Sequence, residues 1–181
     1  MRHVTTPTTQ PVQDTPATAE QLAAVSRFLA VEARLLDEGR EEEWFELLDD
    51  DLLYEIPVRQ ATEPRSNEVS PDAWRLRDTK AHVRARLDRL NTGHAYSEIP
   101  PSRTMRLVGS IVADQTADPD VVRVHSSLLL YRQRGIDPYY ILIPARREDL
   151  VRLTPDGPRL LARKVVLTET SLLTPNLGVI L

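Results

Sequence analysis

Along residues 18–39 the apolar positions return every three or four residues, at Leu22, Val25, Phe28, Leu29, Leu35 and Leu36. That period places them on one face of a helix. Thr18 and Gln21 have the spacing of a reciprocal cap for the first free N–H groups, and Gly39 can adopt the left-handed conformation that stops the helix. A second, short helix is predicted in EEEWFELLDD (41–50), where leading acids suit the positive end of the helix dipole and Trp44, Phe45, Leu47 and Leu48 supply an apolar face. DLLYEIPVR (51–59) then reads as a strand. The Pro, Ser and Asn content of QATEPRSNEVSPDAW (60–74) predicts a polar surface excursion. A third helix is predicted over DTKAHVRARLDRLNTG (78–93), with Asp78 as N-cap, Val83, Leu87 and Leu90 facing inward, and Gly93 as the stop.

From Arg103 onward the period changes to two. RTMRLVGSIVAD, VVRVHSSLLLYRQR, YYILIPARREDLVRL and PRLLARKVVLTETSLL read as consecutive strands, separated by turn chemistry in DQTADPD and TPDGPR. Helices gathered in the first half and strands in the second predict an α+β fold, most simply a strongly curved, mostly antiparallel sheet wrapped around the long first helix.

A chain of 181 residues suits one core. The first residues, MRHVTTPTTQPVQDTPA, are rich in Thr, Pro and Gln and read as a mobile arm over 1–17, leaving a single domain at 18–181. Apolar residues at 41% and charged residues at 28%, with no apolar run of membrane-spanning length, lead to the expectation of a soluble, cytoplasmic protein. The absence of cysteine excludes disulfides, thiol nucleophiles and any iron–sulfur cluster held by this chain's own thiolates. A net charge of −4 without a basic, aromatic-interleaved stripe argues against nucleic acid.

The candidate chemistry is sparse. Of the histidines, His3 falls in the arm, His82 in a helix, His94 in a loop and His125 in a strand, so they lack the local spacing of a two-His, one-carboxylate iron site. His125 shares a strand face with Arg123, Ser127, Leu129 and Tyr131, opposite Val122, Val124, Ser126 and Leu128. It is a general base or acid if its face lines the concave side of the sheet, and a surface or interface residue otherwise. Glu32 interrupts the apolar stripe of the first helix. Buried, it requires a cationic partner, for which Arg84 and Arg103 are candidates, or else a cavity in which a raised pKa makes it a base. The turn NTGHAYSEIPPSRTMRL (91–107) gathers His94, Tyr96, Glu98, Pro100, Pro101 and Arg103. Adjacent prolines fix two φ angles and remove two donors, which makes a stiff corner suited to docking. Trp44, Trp74 and Tyr96 are either interface anchors or core fillers.

The succession FLAVEARLLDEGREEEWFELLDDDLLYEIPVR, RLNTGHAYSEIPPSRTMRLVGSI, VRVHSSLLLYRQR and ARKVVLTETSLLTPNLGVIL, with its "RL-TG-A" helix exit, "E-PPSRT" corner and the ending formed by Asn176, Leu177, Val179 and Leu181, resembles the small (β) subunit of aromatic-ring-hydroxylating dioxygenases over about residues 18–181. That resemblance implies an NTF2-like cone in which three N-terminal helices pack on the curved sheet. It further implies a trimer of small subunits beneath three large α subunits, an α3β3 assembly. The large subunit would carry a Rieske [2Fe–2S] cluster and a mononuclear Fe(II), and would take NAD(P)H electrons through a reductase and, in some systems, a ferredoxin. No catalytic, cofactor or metal residue is then expected in this chain, and Trp44, Tyr96, Pro100, Pro101 and Arg103 become candidate subunit contacts. Isomerases of the same shape place an Asp-Pro-Val stretch where this chain has Ile56-Pro57-Val58, and their oxyanion-hole tyrosine falls at Glu32. The alternative is a free-standing dehydratase, isomerase or cyclase that uses His125, Glu32 or His94 inside its own cone.

Overall fold

The computed structural model describes residues 15–91, 101–135, 138–171 and 179–181. Helix α1 (Ala19–Asp37) begins at the expected cap: the Gln21 N–H donates to Thr18 Oγ1 at 3.2 Å and the Thr18 N–H to Gln21 Oε1 at 2.9 Å. It ends where Gly39 takes φ +69°, a backbone conformation that side chains with a Cβ rarely adopt. Val25, Phe28, Leu29, Leu35 and Leu36 are buried as the period requires. Leu22, one turn from the start, is 39% exposed.

Helix α2 (Glu41–Phe45) is half the predicted length, because strand β1 (Leu48–Arg59) begins inside the segment. Three aspartates follow in succession, and a longer helix would set them against its negative end. In the strand, Asp49 instead accepts both bonds from Arg152 Nη1 (3.0 and 2.8 Å), and Asp50 faces Lys80 at 2.7 Å. A 3₁₀ turn at Arg65–Asn67 leads to strand β2 (Val69–Thr79), which corrects the surface excursion expected over 60–74. β2 lies at the edge of the sheet and has no buried residue, so an alternating apolar signal was not needed to form it. Pro71 is tolerable at such an edge. β2 also absorbs Asp78, the predicted N-cap, so helix α3 (Lys80–Asn91) starts one residue later than predicted. The Asp78 carboxylate holds Arg86 at 2.9 Å, and His82 Nδ1 accepts the Thr79 N–H at 3.3 Å in the capping place. Val83 and Leu87 are buried. Gly93, His94, Tyr96, Glu98 and Pro100 lie outside the described residues, as does the side chain of Leu90.

The meander follows as β3 (Ser102–Gln115), β4 (Val121–Arg134), β5 (Ile141–Thr154) and β6 (Gly157–Leu167). The order across the sheet is β2-β1-β6-β5-β4-β3, antiparallel throughout except for the parallel pair β1 and β6. In β3 the register breaks between Gly109 and Val112, with Ser110 at φ 51°, and such a bulge bends the strand. Residues 15–17, expected within the arm, are pinned to the far end of β3: the Ala17 N–H donates to the Ala113 carbonyl (2.9 Å) and the Gln115 N–H to the Thr15 carbonyl (2.8 Å). Residues 1–14, with His3, lie outside the described set.

Inner-face residues such as Leu52, Ile56, Val122, Leu130, Val151 and Val165 share one apolar core with Val25, Phe28 and Leu29 of α1. The exit of α1 is fastened by Asp37, whose carboxylate accepts the Arg106 N–H (2.7 Å), the Arg106 guanidinium and the Thr104 hydroxyl (3.0 Å). Asp37→Ala leaves the Arg106 guanidinium, itself 2% exposed, without its carboxylate. A loss of about 2–3 kcal/mol in urea unfolding is expected; a change below about 0.5 kcal/mol would show that the helix exit is held by packing alone.

Candidate functional site

At the centre of the cone one arginine joins two carboxylates. Arg163, on β6, donates from Nη1 to Glu32 Oε1 (2.7 Å) and from Nη2 to Glu32 Oε2 (2.8 Å). It also donates from Nε to Asp149 Oδ1 and from Nη2 to Asp149 Oδ2, both at 2.8 Å. Glu32 further accepts the indole N–H of Trp44 (3.0 Å) and, at 3.4 Å, Nη1 of Arg147. Arg147 Nε reaches Ser126 Oγ at 3.3 Å, while its buried Nη2 has no partner among the described residues. None of Glu32, Asp149, Arg147 or Arg163 is more than 2% exposed. Two acids and two arginines thus form a cluster with no formal net charge, reached from α1, α2, β4, β5 and β6.

Burial by itself would raise the Glu32 pKa, but the charges of Arg163 and Arg147 and the bonds from Arg163 and Trp44 outweigh it and bring the carboxyl down to about 2. Burial likewise works against the charge of Arg163, yet Asp149 and Glu32 raise its pKa above the ordinary arginine value. Arg147 moves the other way, lowered by burial and by repulsion from Arg163. A general base works best with a pKa near the operating pH. Glu32 is therefore held as a buried, paired anion, the pairing expected of a charge on that stripe, and its carboxyl lies well below the pKa that suits a base. Its partners are corrected. Arg84 lies on the surface, bonded to Glu42 (2.5 and 2.7 Å) and Asp88 (2.9 Å), and Arg103 is exposed on β3.

Sequence reasoning missed Arg147, Asp149 and Arg163. Their signal was present in ARRED and LLARKVV: along β5 the charges at Arg147 and Asp149 occupy inward positions, while Arg146 and Glu148 point outward.

The remaining candidates are dispersed. His125 is exposed on the outer face, opposite Val112 and Glu148 in register, so the reading of it as an acid or base inside the cone is corrected. Its neighbours Val122, Val124, Ser126 and Leu128 are buried. Among the described residues no group of three or more His, Asp or Glu side chains is placed to hold a metal. Ile56, in the isomerase-base position, is a core residue. Trp44 is 1% exposed with its N–H on Glu32, so it fills the core and is not available as a subunit contact. Trp74 is 36% exposed, with Arg77 stacked 4.6 Å from its ring centre.

The outer face of β3, β4 and β5 carries an apolar strip. Met105, Tyr131 and Leu142 are in register across it, as are Leu107, Leu129 and Pro144. Met105 and Leu107 are more than half exposed, and Tyr140 stacks on Tyr131 at 5.3 Å. Contiguous exposed apolar surface of this kind marks interaction sites.

The lowered Glu32 pKa links the cluster to pH. A carboxyl depressed from 4.5 to about 2 contributes its full stabilisation above pH 4.5 and loses it as the pH falls through about 2. Circular dichroism melts between pH 5 and 2 should show a loss of about 3 kcal/mol from this group, and Glu32→Gln should flatten that part of the profile. An unchanged profile in the variant would assign the acid sensitivity to other carboxylates.

The family model described as "Ring hydroxylating beta subunit" matches residues 31–174. The β subunit of N,N-dimethyl phenylurea N-demethylase from Sphingobium sp. (strain YBL2) is 38% identical over 156 residues, covering 86% of this chain and 89% of that protein. The β subunit of 3-phenylpropionate/cinnamic acid dioxygenase from Photorhabdus laumondii subsp. laumondii is 36% identical over 162 residues, with the same coverage of each chain. A chain of naphthalene 1,2-dioxygenase with indole bound superposes with a TM-score of 0.79 at 20% identity, covering 94% of this chain and 91% of that one, and NTF2-like proteins share the cone. The family model over residues 31–174 and the two relatives at 38% and 36% identity lead to one conclusion: the chain belongs to the β-subunit family of ring-hydroxylating dioxygenases.

Proposed function

We propose that this chain is the non-catalytic small subunit of a multicomponent oxygenase acting on an aromatic substrate. Its role is to support the assembly of large subunits as α3β3. The observation that carries this reading is the interior of the cone, where Glu32, Asp149, Arg147 and Arg163 are bonded to one another. A carboxylate already holding an arginine and an indole N–H has neither the pKa nor the free lone pairs to take a substrate proton.

The large subunit would hold the Rieske [2Fe–2S] cluster and the mononuclear Fe(II), reduced from NAD(P)H through a reductase and, where present, a ferredoxin. This chain has no cysteine, and a Rieske centre requires two. The names of the two curated relatives, one an N-demethylase and the other a dioxygenase, support leaving the choice of oxidation to the partner. The exposed strip around Met105, Leu107 and Leu142 supports a docking role for the outer sheet face. The corner holding Tyr96, Pro100, Pro101 and Arg103 is the second docking element we propose; of these, Pro101 and Arg103 are described, and both are exposed.

Co-expression of the tagged chain with the large subunit from its own gene neighbourhood provides the test. An iron-containing, coloured complex with equal amounts of the two chains is expected, and His125→Ala should leave its turnover within about threefold, a change of less than 1 kcal/mol in the barrier. Recovery of a colourless chain alone, or loss of turnover in an intact complex, would overturn the proposal.

A further inference from the structure

Residues 179–181 enter the same cone and are held there by the pattern of bonds that a small ligand would receive. Leu181 is 1% exposed, with its side chain in the core. Its N–H donates to Tyr54 Oη at 3.0 Å, while the Tyr54 hydroxyl donates in return to the Leu181 carbonyl oxygen. Arg163 Nη1 reaches that oxygen at 3.3 Å. One residue earlier, Arg106 Nη2 donates to the Ile180 carbonyl at 2.6 Å.

We infer that the cone contains a built site for an N-acylated, leucine-like carboxylate or carboxamide, and that Ile180 and Leu181 occupy it as the chain's own ligand. Four recognition elements converge there. An apolar pocket takes the branched side chain, and a buried hydroxyl reads an N–H and an oxygen at once. Arg163 binds the same oxygen, and Arg106 binds the preceding acyl oxygen. Tyr54 is 4% exposed, and the side chains of Arg163 and Arg106 are at most 2% exposed, so these groups lie where a desolvated polar atom must find a partner. N-acetyl-L-leucine offers the same set of atoms in the same order: acetyl oxygen, N–H, isobutyl group and carboxyl oxygen. Access by any external ligand of this class requires residues 179–181 to leave. The site is independent of the subunit reading, since it lies wholly within one chain.

The test is a variant of the full chain lacking Val179–Leu181, assayed by thermal melting with and without millimolar N-acetyl-L-leucine. The deletion should lower the melting midpoint, and N-acetyl-L-leucine should raise it again with saturation. N-acetyl-D-leucine should have little effect, and the chain that retains residues 179–181 should respond to neither. Adding Tyr54→Phe to the deletion should weaken the response about tenfold or more, the loss expected for a buried hydroxyl that makes two bonds. If the deletion variant does not fold unaided, the folded yield on refolding with each enantiomer replaces the midpoint. An unaltered midpoint after deletion, or equal responses or yields with the two enantiomers, would overturn the inference.

Discussion

Arg163 is the constraint on which the rest of the cone depends. A guanidinium removed from water is costly unless each N–H finds an acceptor, and here the acceptors come from parts of the chain far apart in sequence: Glu32 on the first helix, Asp149 on the neighbouring strand and the Leu181 carbonyl. Apolar packing tolerates small rotations of a helix over a sheet, whereas two bidentate ion pairs do not. The cluster therefore sets how far α1 is turned and how deeply it is inserted. Replacing such a network with well-fitted apolar groups often costs little stability, so its contribution here lies in selecting one arrangement of helix and sheet.

Much of this architecture was legible in the chain. The 3.6-residue period of α1, its Thr18/Gln21 cap and the alternation of β4 were read correctly because each is a local signal. β2 was illegible for a physical reason: an edge strand with no buried residue has no need of alternation, and its polar sequence looks like a loop. α2 was read too long because Leu47 and Leu48 continue an apolar run that the three aspartates redirect into β1. The charge on Glu32 announced a buried ion pair but not its partner. Arg84 and Arg103 were plausible by proximity in the predicted helix and corner, while the actual partners sit more than a hundred positions later on strands whose register no local pattern reveals.

A fold of this shape offers an enclosed interior, and whether that interior performs chemistry depends on its side chains. Among the described residues, Glu32, Asp149, Arg147 and Arg163 offset one another's charge inside the cone, and the outer face of β3, β4 and β5 carries exposed apolar side chains.

The single parallel pairing has a consequence for how the chain acquires its shape. Each pair within the meander from β3 to β6 joins neighbours in sequence, and β1 pairs with β2 across a short connection. The joint between these two halves sets Leu53 beside Ala162, roughly a hundred residues apart, and this closure costs more chain entropy than the others. During synthesis the ribosome releases β1 long before β6 exists. The first strand must wait, paired on one side only, until the last strand emerges. The seam between the second and third strands of the finished sheet cannot close until β6 has been made, and Arg163, carried on β6, arrives with it.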